Sequence, residues 1–314
     1  MDYIRVAFVG AGNMAEEHAK VFLALDHVQL VGVTGRTKER AIKFADQFGI
    51  SEVCSSISEL YERTEPDLLV IAVPELETKS VAFAAFDFPW RILIEKPVGY
   101  NLDEGTLILN RAEEKSVEVY VGLNRRFYSS AIQISDGLLA SPSEKRFIYV
   151  QDQQSVQDAI NIGQPQIVAE NYMYANSIHL IDLIPLFCRG KPTSINNILP
   201  WRGCETERVL SVIHFSDGDI AVYDGVWKGP GPWSCSVSTT AARWTMQPLE
   251  ELQVQFAGER KREQLSIDEV DLKFKPGLFK QNVAVISAIR GQESRAVSLD
   301  QSYTTMQLIS RIFE

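Results

Sequence analysis

Apolar and polar positions alternate in two rhythms along the first third of the chain. Residues 4–9 form an apolar run that ends at Gly10, and residues 29–34 and 67–73 repeat the pattern. Nearly continuous runs of this length suit strands buried on both faces of a parallel sheet. Between them, Met14, His18, Val21, Phe22 and Leu25 recur at helical spacing, which predicts a helix over 14–25. Thr37 is placed to cap a second helix that runs to Phe48, where Gly49 stops it. Further helices are predicted over 75–86 and 103–115, the latter capped by Asn101 or Asp103, and further strands over 91–95 and 117–123. Strands alternating with helices imply a parallel sheet flanked by helices.

The rhythm changes after Asn124. A helix over 129–139 leads to a strand over 146–151, a polar stretch over 152–170 and a long apolar helix over 171–188. Strands then follow one another over 194–199, 208–215, 220–227, 234–240, 251–256 and 264–274, with Ser216-Asp217-Gly218 as a hairpin turn. Helices over 278–290 and 299–313 end the chain. Strands in succession imply an antiparallel sheet. The expected fold is therefore an α/β domain over 1–123 followed by an α+β domain over 124–314, whose terminal helices can pack back on the first domain.

The length of 314 residues fits two domains at about 150 residues each. The formal net charge of −10 argues against a dedicated nucleic-acid binder. No apolar run reaches membrane-spanning length, so no membrane partner is expected. The N-terminus runs straight into a glycine motif and reads as a first strand, not a signal peptide. Cys54, Cys188, Cys204 and Cys235 are widely spaced, which indicates neither a disulfide framework nor a metal site and fits the cytoplasm.

Gly10-Ala11-Gly12-Asn13-Met14-Ala15 is a G-x-G-x-x-A fingerprint between a strand and a helix, the context in which it cradles a dinucleotide. Gly10 permits the tight turn, Gly12 lets the backbone approach a pyrophosphate, and Ala15 allows close helix–strand packing. The helix start offers its free N–H groups to the phosphates. These features define a Rossmann domain. The end of the second strand lacks the carboxylate that holds a ribose 2′-hydroxyl in NAD sites. It has Arg36 and Lys38, suited to a 2′-phosphate, so NADP(H) is expected over NAD(H).

Glu95-Lys96-Pro97 follows the strand over 91–95, at the sheet edge where ligands bind. A lysine there can stabilise negative charge developing on a substrate oxygen. Together, the glycine fingerprint, Ile71-Ala72-Val73-Pro74, Glu95-Lys96-Pro97, Asn124-Arg125-Arg126-Phe127 and His179-Leu180-Ile181-Asp182 resemble the Gfo/Idh/MocA oxidoreductase family. The resemblance implies an open, mainly antiparallel second sheet that forms a homo-oligomer interface. It also implies NAD(P)-dependent hydride transfer on a sugar, cyclitol or nucleotide sugar. On that basis the cofactor residues are Gly10, Ala11, Gly12, Asn13, Met14, Arg36, Lys38, Val73, Pro74, Glu95 and Lys96, and the catalytic pair is Lys96 and His179.

The resemblance puts His179 at the acid/base position, and an imidazole suits proton exchange with an alcohol. The family pattern D-x-x-x-H is broken here, because Ala175 stands where the aspartate would be. At helical spacing Asn176, His179 and Asp182 share a face, and His179 satisfied by Asp182 within a packed helix is the alternative from spacing alone. Asn124, Arg125, Tyr128, Tyr172, Asn176 and Asp182 are the candidate substrate contacts. Tyr174 and Arg126 lie in the same neighbourhood, while Trp227, Trp233 and Trp244 are read as core or interface residues. The loss of the aspartate leaves two other readings open, a cofactor-binding sensor without turnover and a lyase or glycosidase that keeps its cofactor bound.

Overall fold

A computed structural model describes residues 3–314. The chain divides into two compact units, one comprising the residues up to Asn124 with Lys273–Tyr303, the other Arg125–Leu272 with Thr304–Glu314. The helix Leu278–Ile289 thus belongs with the first unit, and the helix Leu299–Ile312 is shared between the two.

The first unit holds a six-stranded parallel sheet of β1 (Ile4–Val9), β2 (Val28–Thr34), β3 (Glu52–Cys54), β4 (Leu68–Ile71), β5 (Arg91–Glu95) and β6 (Val119–Gly122), ordered 3-2-1-4-5-6. The order reverses between β1 and β4, which opens a crevice at the carboxyl edge of the sheet. The apolar runs are what make these strands central. Every residue of β4 is buried, as are five of the six in β1. Helix α1 (Asn13–Leu23) buries Ala15, Ala19 and Phe22 on the sheet, and α2 (Lys38–Phe48) adds Phe44 and Phe48. The Phe8 ring meets Phe22 and Phe44 edge-on, at 6.4 and 5.3 Å between centroids. Val285 and Ile286 from the late helix complete this core. The amide of Val121 donates to the Val297 carbonyl at 2.9 Å, which closes the outer edge of β6.

Gly49 ends α2 in the left-handed conformation, as expected, but Thr37 makes no side-chain cap bond. Asn101 caps the helix Leu102–Lys115 by accepting from the Glu104 amide at 2.9 Å. β3 and the helix Ile57–Thr64 have no counterpart in the sequence reading.

The second unit holds an eight-stranded sheet, ordered β14-β13-β12-β11-β7-β10-β9-β8. Its strands are β7 (Phe147–Gln153), β8 (Pro192–Leu199), β9 (Arg208–Phe215), β10 (Ile220–Val226), β11 (Ser234–Ser238), β12 (Ala242–Met246), β13 (Leu252–Phe256) and β14 (Glu263–Leu265). All neighbours are antiparallel except β7 and β10. The expected strand over 264–274 stops at Leu265. The Asp268 carboxylate then accepts from the Val270 amide at 3.2 Å, and Glu269–Lys273 coils into a helix.

The expected long helix over 171–188 is broken twice. A π-turn occupies Met173–Ser177, and the helices Ile178–Ile181 and Leu183–Phe187 follow. Pro185 explains the second break, because a proline has no N–H to donate to the carbonyl four residues earlier. Both short helices lie on β7, with Ile178, Leu180, Ile181, Leu183, Ile184 and Phe187 fully buried. The polar stretch over 152–170 carries two short helices. Ser155 caps Val156–Asn161 by accepting from the Asp158 amide at 3.1 Å, and Pro165 precedes Gln166–Glu170.

Candidate functional site

In the first unit, the chain turns at Gly10 with φ +102°, and a Cβ there would lie 2.1 Å from the Ala72 carbonyl oxygen and 3.3 Å from a Val73 methyl. Only glycine fits between the ends of β1 and β4. Gly12 is the reverse case, with nothing within 4 Å of the position its Cβ would take. As N-cap of α1 it makes no side-chain cap bond, so the first-turn amides around Asn13 and Met14 face an open cradle. Ala11 is half-buried, Ala15 is buried, and Pro74 leads from β4 into a short 3₁₀ turn. This is the space and the donor set that a dinucleotide pyrophosphate requires, so the residues present fit the cofactor.

Arg36 and Lys38 follow β2 and are exposed. The Arg36 guanidinium meets Glu77 at 3.2 Å, an acidic neighbour that the sequence pattern does not reveal.

Lys96 is half-buried at the carboxyl end of β5. Its neighbour Glu95 has a protein partner. The Glu95 carboxylate lies 2.7 Å from Nε2 of fully buried His18, whose Nδ1 is 3.1 Å from the Asn282 side-chain oxygen. The carboxylate occupies the room above Gly122, where a Cβ would sit 2.5 Å from its oxygen. Glu95 is thus held by the protein and clamps β5 to α1 beside Lys96. Sequence spacing places His18 on the buried face of its helix but gives no sign of this partner.

Asn124 is also spoken for. It is buried, and its amide donates to the Pro276 carbonyl at 3.0 Å.

In the second unit, His179 is 6% exposed and sits just after the π-turn. Widening by that turn breaks the simple three-and-four spacing across Ala175, Asn176 and His179. Asp182 is held by protein partners. Its two oxygens accept both arms of the Arg126 guanidinium at 2.6 Å, and Thr305 donates to it at 2.7 Å. The Arg126 charge is retained despite burial because this carboxylate faces it.

Asn176 is likewise redirected, since its amide donates to Gln154 at 2.9 Å. Gln154 donates in turn to Asp152 at 2.7 Å, and the Tyr223 hydroxyl reaches the other Asp152 oxygen at 2.8 Å. Burial pushes the Asp152 carboxyl up from its ordinary pKa, while bonds from Ser177, Tyr223 and Gln154 pull the other way. This network joins β7 to the turn that precedes His179. Its signal in the sequence is an aspartate in phase with inward-facing Ile148 and Val150.

Arg125 lies with its Cζ 5.0 Å from the Trp233 ring centroid and 6.0 Å from that of Tyr128. Trp233 is fixed by donation to the Gln153 carbonyl at 2.9 Å. Tyr128 is buried, and burial raises its hydroxyl pKa to about 12 against the lowering effect of Arg125. Tyr172 is half-buried and Tyr174 buried. Trp227 and Trp244 are buried, and Trp227 packs with Trp201 and Phe313.

Residues 4–123 match the model of an oxidoreductase family with an NAD-binding Rossmann fold, Gfo/Idh/MocA. Among curated proteins, 4-carboxy-2-hydroxymuconate-6-semialdehyde dehydrogenase of Sphingobium is 23% identical over 62% of this chain and 62% of its own length. Glucose-6-phosphate 3-dehydrogenase of Bacillus subtilis is 30% identical over 40% of this chain and 35% of its own. The match thus spans less than two thirds of either relative. Among solved structures, UDP-N-acetylglucosamine 3-dehydrogenase of Acidithiobacillus ferrooxidans superposes with a TM-score of 0.78 at 16% identity, over 99% of this chain and 97% of that one. This last likeness is one of fold.

Proposed function

We infer, from the match of residues 4–123 to the Gfo/Idh/MocA oxidoreductase family, that this chain is an NAD(P)-dependent dehydrogenase or reductase of a small carbohydrate-like molecule. The observation that carries this reading is the open cradle over Gly12, next to Lys96 on the same carboxyl edge of one parallel sheet. The names of the two curated relatives support dehydrogenase chemistry. Glucose-6-phosphate 3-dehydrogenase and the structurally similar UDP-N-acetylglucosamine 3-dehydrogenase support a sugar or nucleotide sugar as substrate.

When bound, the nicotinamide cofactor accepts or donates the hydride. The tight turn at Gly10, Ala11 and Gly12 and the first-turn amides of Asn13 and Met14 would hold it, with Val73 and Pro74 lining the end of β4 beside it. Lys96 polarises the reacting oxygen, and Glu95, fixed by His18, keeps the end of β5 in place. His179 exchanges the proton of the hydroxyl. Asp152 and Gln154 stabilise the turn before it, in a chain that has Ala175 where the family places an aspartate.

We place NADP(H) ahead of NAD(H), on Arg36 and Lys38 and the missing carboxylate. Arg36 must then leave Glu77 to meet a 2′-phosphate. Homo-oligomerisation through the second sheet is supported by Phe147 and Phe256, each 46% exposed, at strand ends of that sheet. Three buried and one exposed free cysteine suit a cytoplasmic location. The test is turnover of NADPH and NADH with a panel of sugars, sugar phosphates and nucleotide sugars. Consumption of reduced cofactor that depends on one of them supports the reading. Cofactor binding without turnover of any would favour the sensor.

A further inference from the structure

Three arginines of the second unit are neutralised by paired contacts with aspartate. Arg126 meets Asp182, Arg189 meets Asp219, and Arg208 meets Asp224, each with a closest approach of 2.6 Å. Among the described residues Arg146, like Arg125, forms no ion pair and leaves its Nε without a partner, but it donates to the Phe187 backbone carbonyl, whereas Arg125 lies against aromatic rings. The Arg125 guanidinium meets no carboxylate at ion-pair distance among the described residues, and its Nε is buried without a hydrogen-bond partner.

Two rings hold it instead. Arginine stacks on aromatic faces through its planar, weakly hydrated guanidinium, which leaves the edge donors free for a second group. The carboxylates that attract it from a distance are Asp152 and Glu250. Asp152 is occupied by Gln154 and Tyr223 and is itself pushed toward the protonated form, while Glu250 is exposed. Neither supplies the neutralising contact that a desolvated guanidinium requires. A cation kept at this cost, oriented by Trp233 and Tyr128, is built for an anion that arrives from outside. Asp152 also ties the same place to the turn carrying Asn176 and leading into His179.

We propose that Arg125, set against the Trp233 and Tyr128 rings, binds an anionic group, phosphate or carboxylate, carried by the substrate. This rests on the reading of the chain as an oxidoreductase of small carbohydrate-like molecules and names the class among them: sugar phosphates, nucleotide sugars or sugar acids, not neutral sugars.

The test is calorimetric titration of the full chain with inorganic phosphate and, separately, acetate, at constant ionic strength. NADPH binding and urea unfolding are measured on the same samples. Saturable binding of one or both anions is expected. Arg125→Gln should weaken it about tenfold or more, with Arg125→Lys falling between. The unfolding midpoint of Arg125→Gln should be unchanged or raised, because the variant removes an uncompensated buried charge. Phosphate binding alone assigns a phosphoryl group, and acetate binding alone assigns a carboxylate. No saturable binding to the wild type, or equal binding to Arg125→Gln, overturns the proposal. So does a loss of stability in Arg125→Gln that accounts for its weaker binding. Intact NADPH binding in those cases leaves the cofactor assignment standing, whereas anion binding without turnover of any charged sugar overturns the oxidoreductase reading alone.

Discussion

Replacing Gly10 and Gly12 separately by alanine should produce opposite effects, and the contrast follows from geometry. At Gly10 the added methyl meets the Ala72 carbonyl oxygen at 2.1 Å, far inside contact distance, and the backbone holds φ at +102°. Left-handed conformations cost an L-residue about 1–2 kcal/mol. Overpacking adds about 1–3 kcal/mol, so Gly10→Ala should lose about 2–5 kcal/mol of stability. At Gly12 the methyl meets nothing within 4 Å and φ is −102°, so neither cost applies. Gly12→Ala should stay within about 1 kcal/mol of the wild type, the scale of an N-cap change. What it should lose is cofactor affinity, because its methyl enters the cradle. Urea unfolding with and without NADPH separates the two effects. The wild type should gain about 2.7 kcal/mol at a ligand concentration one hundred times its Kd, while Gly12→Ala should gain far less. A Gly12→Ala protein that NADPH stabilises as well as it does the wild type would refute the placement of the pyrophosphate. A Gly10→Ala protein of unchanged stability would refute the account of the turn.

Arg126→Met strands the Asp182 carboxylate in the interior and should cost about 3–5 kcal/mol in urea unfolding; the double variant Arg126→Met/Asp182→Leu should recover most of it. Glu77→Gln releases Arg36 and should tighten NADPH, leaving NADH unchanged, as read by titration of each cofactor. For Asp152, a folded-state pKa raised above the ordinary 3.8 means that the carboxyl's contribution to stability is full below that pH and is lost as pH rises through the folded value. Asp152→Asn should therefore gain stability relative to the wild type as pH rises from below 4 to neutrality, as measured by urea midpoints across the pH series.

The parallel half was legible because its strands are central and apolar, and because Gly10, Lys96 and Pro74 stand at strand ends. β3 and the helix Ile57–Thr64 escaped because the strand has three residues, only Cys54 of them buried, and the helix buries only Leu60 and Thr64. Hydrophobicity alone predicts a continuous helix over 171–188 because it does not register a π-turn, although Pro185 marks a break. Candidate polar residues were the least legible part. Asp182, Asn176, Asn124 and Glu95 all proved to be committed to Arg126, Gln154, Pro276 and His18. Each partner is remote in sequence or lies off the local helix face. Spacing reveals that a polar side chain is present, and only tertiary structure reveals whether its hydrogen bonds are already made.

The central claim is that this chain uses Lys96 to drive hydride chemistry on a cofactor held by the glycine turn. Its most direct test is the rate of cofactor oxidation or reduction by the wild type and by Lys96→Ala, with the substrate that a charged-sugar panel identifies. The account predicts a fall in kcat of about a hundredfold or more, the scale of a lost oriented electrostatic contact, with NADPH binding retained. Turnover by Lys96→Ala within a few-fold of the wild type would contradict it.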